Sequence, residues 1–330
     1  MKNRLLAALL LTTVSSVFSQ TSSPQAVIAE KQLRSYASVK GTAGAQERLE
    51  QIDVNNLSAT NTNVTTLRTA LSGKTLAGEK VVLIRTLGRL YNPKNTSGMN
   101  NEILGDLKKL TTSNDQDIAR AAVFSVSRLE TNQDILDILA RSRKNGILDK
   151  DAYSGELAHS LRFAEKSKQK EVIQILASEK SEYGVDVLAM NAVGHGYMEK
   201  ISPEALVALR NFLAANEPNF PKPIGFFGFG DVIRYTNWLN AYALASEKIE
   251  PAKLYSATVL KMLNSSQTDP RKVVAFLGSD EGKKLMKSLG KNSELDKAVE
   301  RAQTYIDSFP GNSILIGFGK NINDSIVGLK

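Results

Sequence analysis

Along most of this chain apolar residues recur at intervals of three and four, the spacing that turns one face of an α-helix towards a core. In KVVLIRTLGRL (80–90) the apolar positions are Val81, Leu83, Ile84, Leu87 and Leu90, and the YNPKN that follows ends the helix at Pro93. NNEILGDLKKL (100–110) carries Ile103, Leu104, Leu107 and Leu110. DQDIARAAVFSVSRL (115–129) opens on acidic side chains suited to a helix N-terminus and aligns Ile118, Ala122, Val126 and Leu129. Residues 132–146 begin with a capping Asn and finish in Arg and Lys before Gly146. Segments 151–164, 169–180, 183–194 and 202–215 continue the pattern. The last opens on Ser202 as cap and Pro203 at the first helical position. Val and Ile fall at helical rather than alternating spacing, so strands are not expected here.

The first helices of successive pairs start near residues 79, 115, 149 and 182, a step of about 33–36 residues. Such pairs cannot bury an apolar stripe alone and do so by stacking on their neighbours. The expected fold is therefore all-α: a right-handed α-solenoid of antiparallel helix pairs, with a less regular helical C-terminal half. The segment DIARAAVFSVSRL (117–129), with its acidic start, small-residue centre and late apolar positions, resembles the second half of a HEAT repeat. The resemblance covers residues 78–216 and implies HEAT-like stacking. The Trp-Leu-Gly-Tyr and Ala-Phe-Pro signatures of tetratricopeptide repeats are missing. A globular helical bundle without repeats is the competing architecture.

After Phe220 the rhythm breaks. PKPIGFFGFGDVI (221–233) sets Phe226, Phe227 and Phe229 among three glycines. The order G-x-x-G-x-G after a Pro-rich stretch is not that of a dinucleotide-binding loop. The three rings are read either as core plugs closing the solenoid or as an exposed knob for a partner. Helices are expected at 231–249, 251–263, 270–277, 281–289 and 293–309. In the first of these, Ile233, Trp238, Leu239, Tyr242 and Leu244 form an aromatic-rich core element. The tail, 312–330, is the one place suited to a short strand or extended arm. Residues 20–60 are poor in large apolar groups and read as an extension with brief helices, and 55–63 as linker. The expected divisions are 1–19 signal peptide, 20–60 N-terminal extension, 61–217 helical repeats, 218–309 C-terminal helical region and 310–330 tail.

MKNRLLAALLLTTVSSVFSQ has the layout of a cleavable secretory signal: Lys2 and Arg4, an apolar run from Leu5 to Leu11, then a polar stretch with small residues. The run is well short of the roughly 20 residues a membrane-spanning helix needs. The 330 residues include no cysteine, and a chain of this size can bury an adequate core without disulfides. A secreted chain without cysteine fits the bacterial periplasm, which is the expected location.

The formal charge of +8 is unevenly spread. Residues 20–150 hold 18 basic and 13 acidic side chains, whereas 151–330 hold 22 and 21. In a periplasm this favours an acidic protein partner, and the basic groups named next are not read as interleaving aromatics with cations in the manner of nucleic-acid grooves. Candidate binding residues are Arg85, Arg89 and Arg120 as one cationic group. Arg141, Arg143 and Lys144, with Lys108, Lys109 and Lys180, form a second along stacked helix ends. His195 and Tyr197, in the glycine-flanked turn NAVGHGYMEK, could touch a ligand. Phe226, Phe227 and Phe229 complete the set.

Catalytic and metal motifs are scarce. The two histidines, His159 and His195, cannot form a zinc site alone, and no H-E-x-x-H is present. SGKT (72–75) imitates the end of a phosphate loop, but Arg68 stands where its first glycine belongs. The S-x-x-K runs at 167–170 and 288–291 lack a companion K-T-G. No cofactor or metal is therefore expected. The favoured function is a non-enzymatic periplasmic protein-binding module, one version being an immunity or inhibitor protein against a periplasm-acting toxin. The alternatives are an enzyme or carrier for cell-wall glycan or lipid, and a structural scaffold. Oligomeric state is not legible.

Overall fold

A computed structural model describes residues 23–91, 98–194, 197–220, 229–252 and 254–327. Among these residues it is all-helical, with no strand beyond one isolated bridge between Thr131 and Ala164. The chain divides into two compact units, the first reaching Leu90 and the second starting at Tyr91.

The first unit comprises α1 (Pro24–Val39), α2 (Ala45–Glu50), α3 (Asn61–Ser72) and α4 (Ala77–Leu90). Much of it is the stretch read as an extension. Its packing relies on small residues: Ala26, Ala29, Leu33 and Tyr36 are the buried positions of α1, a helical stripe in which only two side chains are large. They meet Leu49, Val64, Leu67, Leu83, Ile84 and Leu87 in one core. Thr60, within the presumed linker, caps α3 by accepting from the Asn63 amide at 3.2 Å.

The second unit contains α5 (Met99–Leu110), α6 (Gln116–Val126), α7 (Gln133–Lys144), α8 (Lys150–Ser160), α9 (Lys166–Glu179), α10 (Glu182–Val193) and α11 (Pro203–Ala215). It continues with α12 (Phe229–Ile249), α13 (Tyr255–Leu263), α14 (Pro270–Leu277), α15 (Asp280–Leu289), α16 (Ser293–Asp307) and α17 (Ser313–Val327). The starts of α6, α8 and α10 fall within a residue of the expected positions. Their caps are the local reason: the side chains of Asp115, Asn132, Asp149, Ser181 and Ser202 each accept from a first-turn amide. Such a cap stabilises a helix by about 1 kcal/mol. Within this unit many helices touch the next in sequence, and several the next but one: α8 packs on α10, α9 on α11, α10 on α12 and α14 on α16.

The core of the later helices centres on Trp238. Its ring is stacked between Tyr235 and Tyr242, at centroid distances of 5.7 and 5.6 Å, and its indole N–H donates to the Leu213 carbonyl at 2.9 Å. Ile233, expected in this core, is instead 44 % exposed. The tail also differs from expectation. It forms α17, started by Asn312, whose side chain accepts from the amides of Ile314 and Leu315. Leu315, Gly319 and Ile322 face inwards, and Gly319 lies against Ile306. Helical burial thus overrides the weak helix propensity of IGFG.

Candidate functional site

The expected site residues do not form one cluster. Arg85 and Arg89 lie one turn apart on α4, both exposed and without an ion-pair partner among the described residues. Arg120 belongs to the other unit. Arg141 and Lys144 are exposed on the last turn of α7, but their neighbours are neutralised: Arg143 pairs with Glu179 at 3.7 Å and Lys108 with Asp134 at 3.5 Å. Of the expected cationic ridge, Arg143 and Lys108 are thus paired, while Lys109, Arg141, Lys144 and Lys180 are exposed.

Tyr197 requires correction. It opens the short 3-10 turn Tyr197–Glu199, which carries the ring inwards, and only 2 % of it is exposed. Burial pushes its hydroxyl pKa well above the usual value. A ring so enclosed fills the core and does not meet a ligand. His195, Phe226 and Phe227 lie outside the described residues. Phe229 is the first residue of α12, and its side chain is likewise outside the description.

What the fold assembles is a face carried by α6, α8 and α10. Arg120 and Phe124 on α6, and Arg128 in the turn that ends it, follow at intervals of four and fall on one side. The two guanidinium carbons stand 5.8 and 5.9 Å from the Phe124 ring centroid, one from each neighbouring turn. Each arginine is also held across to α8. Arg120 reaches Asp149 at 3.7 Å, and Arg128 donates to both oxygens of Glu156 at 2.6 and 3.3 Å. Glu156 is only 4 % exposed, and it accepts a third hydrogen bond, 2.6 Å, from the Ser127 hydroxyl. A buried carboxylate therefore sets the angle at which Arg128 meets solvent.

His159 follows Glu156 by three residues on α8. Its Nδ1 lies 3.3 Å from the Asn191 amide nitrogen on α10. Burial, then the positive Arg128, lowers the imidazole pKa, while Glu156 opposes the shift. A neutral ring accepting at Nδ1 and protonated at Nε2 fits both facts.

Between α8 and α10 the backbones approach through glycine. A Cβ on Gly155 would stand 2.6 Å from a Tyr183 ring carbon, and one on Gly184 would stand 2.8 Å from the Ser154 Cβ. This seam lays Tyr183 over α8 and turns an apolar stripe of α10 outwards: Tyr183, Met190 and Val193 are 52, 50 and 37 % exposed. Asp186 interrupts the stripe, and Arg234 of α12 closes it as an ion-pair partner of Asp186 at 2.8 Å and Glu182 at 3.1 Å. Burial raises the Asp186 carboxyl pKa, and Arg234 opposes that shift.

Chemically, the acids and the imidazole of this face are committed to holding neighbours. What remains presented to solvent is two guanidinium groups braced on one ring, followed by an apolar row. No group of three His, Cys, Asp or Glu side chains among the described residues stands close enough together to hold a metal ion. Phe124 and Arg128 stand four and eight residues after Arg120, a spacing visible in the sequence. Glu156, Tyr183 and Met190 carried no such signal, because their roles arise from contacts between helices. No protein-family model matches this chain, and no curated protein matches its sequence.

Proposed function

We propose that this chain is a non-enzymatic periplasmic binding protein for another protein, and that the α6–α8–α10 face is its contact surface. The observation that carries this reading is the Arg120–Phe124–Arg128 row beside the exposed Tyr183, Met190 and Val193. Arginine and large aromatic side chains dominate the binding energy of protein interfaces. A guanidinium already laid on a ring and tied at one edge loses little freedom when its other edge meets a carboxylate. The partner surface is therefore acidic with an apolar centre. Exposed Arg85, Arg89, Arg141 and Lys144 favour the same partner by raising its encounter rate. An immunity or inhibitor protein is the specific version, and it rests on the leader-like first 19 residues together with the helical architecture.

The test is capture from periplasmic extract on the immobilised chain, compared with Phe124→Ala and Met190→Asp forms whose circular dichroism is unchanged. The expected result is one protein whose affinity falls about tenfold or more in either variant and weakens with added salt. A partner held equally by the variants, or no specific capture, would remove this reading.

A further inference from the structure

Two hollows open along α15, and Glu281 lines both. The first, about 350 Å³, lies between the start of α12, the α14–α15 turn and α17. Val232, Ile233 and Phe318 supply its apolar lining, and Thr236, Asn237 and Asn321 supply polar groups. Gly278 is what lets Phe318 lie there, since a Cβ on it would collide with the ring. Thr236 is only 4 % exposed, and its hydroxyl has no hydrogen-bond partner. A buried, unsatisfied hydroxyl costs free energy until something bonds to it. The second hollow, about 460 Å³, continues beside the end of α12 and α13. Leu254, Tyr255 and Leu285 are its apolar members.

The charges in this groove are not equivalent. Asp280 is tied to Lys283 at 3.4 Å, and Glu247 accepts from the Tyr255 amide at 3.2 Å. The α15 N-terminus is capped by Ser279, whose hydroxyl accepts from the Gly282 amide. Glu281 makes no hydrogen bond or ion pair with a described residue. The Tyr255 hydroxyl registers both carboxylates: burial, then Glu281 and Glu247, push its pKa up to about 12. A single uncommitted carboxylate thus stands where two mostly apolar hollows meet.

We propose that this groove seats a segment of a partner protein in which one lysine or arginine is flanked by apolar side chains. The cation pairs with Glu281, the flanking side chains enter the hollows on either side, and the segment's backbone carbonyl accepts from the Thr236 hydroxyl. Ligand sites of this size are mostly apolar with a few convergent polar groups, which is the composition here. A second cation on the segment would face Lys283 or Lys284, so one positive charge fits better than several. The site is separate from the α6–α8–α10 face and does not depend on it.

The experiment uses the full chain and two fluorescein-labelled peptides, acetyl-Gly-Leu-Lys-Leu-Gly-amide and the same peptide with glutamate for lysine, read by anisotropy. The lysine peptide is expected to bind about tenfold more tightly than the glutamate one, and Glu281→Gln should abolish that difference. Glu281→Lys should reverse it, and Thr236→Val should weaken both peptides. Equal affinity for the two peptides, or a preference that survives Glu281→Gln and Glu281→Lys, overturns the proposal. So does displacement of the lysine peptide by butylammonium at matching concentration, which would assign the site to free amines.

Discussion

The Tyr36 hydroxyl donates a 2.7 Å hydrogen bond to Oε1 of Glu79, a carboxylate with no exposed surface at all. The Gly41 amide completes the site, donating to Oε2 at 3.1 Å. Gly41 has φ of +77°, and a Cβ there would stand 2.9 Å from the Lys74 carbonyl oxygen, so glycine is required for the amide to reach in. One carboxylate on α4 thereby fastens both α1 and the turn that follows it.

Tyr36→Phe should therefore cost about 1.5–3 kcal/mol, the range for a hydrogen bond to a charged group. Urea denaturation of the full chain checks this, with Ser38→Ala as an exposed comparison expected to change little. A loss no greater than that of Ser38→Ala would mean that Glu79 is satisfied without the tyrosine.

Alkaline pH provides a second check. Burial, then the Glu79 hydrogen bond and charge, raise the Tyr36 pKa above the usual 10.0. Burial also raises Tyr197 and Tyr235, and Tyr255 reaches about 12. Above pH 10 the unfolded chain loses these protons while the folded chain keeps them. Stability should hold below pH 10 and fall as pH climbs towards the folded values. Denaturation midpoints measured across that interval should decline, and part of the phenolate absorbance should appear only together with unfolding. Phenolate absorbance that rises in full before any unfolding would show these hydroxyls to be accessible.

Breaking the Arg128–Glu156 pair should be asymmetric. Arg128→Met leaves Glu156 buried with only the Ser127 hydroxyl, at a cost of about 1–3 kcal/mol. The guanidinium is half exposed, so water reaching its place keeps the loss towards the lower end. Adding Glu156→Leu should recover most of the loss, because a buried apolar pair can replace a buried ionic one. Thermal unfolding of the two variants measures the difference. Equal stability would mean that Glu156 remains satisfied after the arginine is gone.

Two glycines should respond in opposite directions to alanine. Gly105 lies inside α5 with nothing near its missing Cβ, so Gly105→Ala should stabilise by about 0.5–1 kcal/mol. A Cβ on Gly282 would collide with the Phe276 carbonyl and stand 2.7 Å from the Leu277 Cα. These are backbone atoms that cannot turn aside, so Gly282→Ala should destabilise by about 1–3 kcal/mol. Denaturation midpoints that move together would remove the steric argument.

The helices from α4 onwards were largely legible in the sequence, because caps and three-to-four spacing act within one or two turns. Pro270–Leu277 falls on its expected bounds, and Ser202, Asp149 and Asp115 mark helix starts as expected. Residues 25–39 read as a brief helix and form α1, but its packing into a core was not legible, since alanine burial gives little hydrophobic signal in a helix with two large buried residues. Glycine misled the reading of α17, where Gly319 serves close packing against Ile306.

By itself, the sequence determined that this chain is helical and where most helices begin, since those signals are local. Tertiary structure decided which side of each helix meets water. Ile233 and Tyr197 exchanged their expected places, and Glu156 became the buried anchor of Arg128, 28 residues away. Burial and pairing are set by neighbours distant in sequence, and the three-to-four spacing that marks a helix says only that one side must be covered.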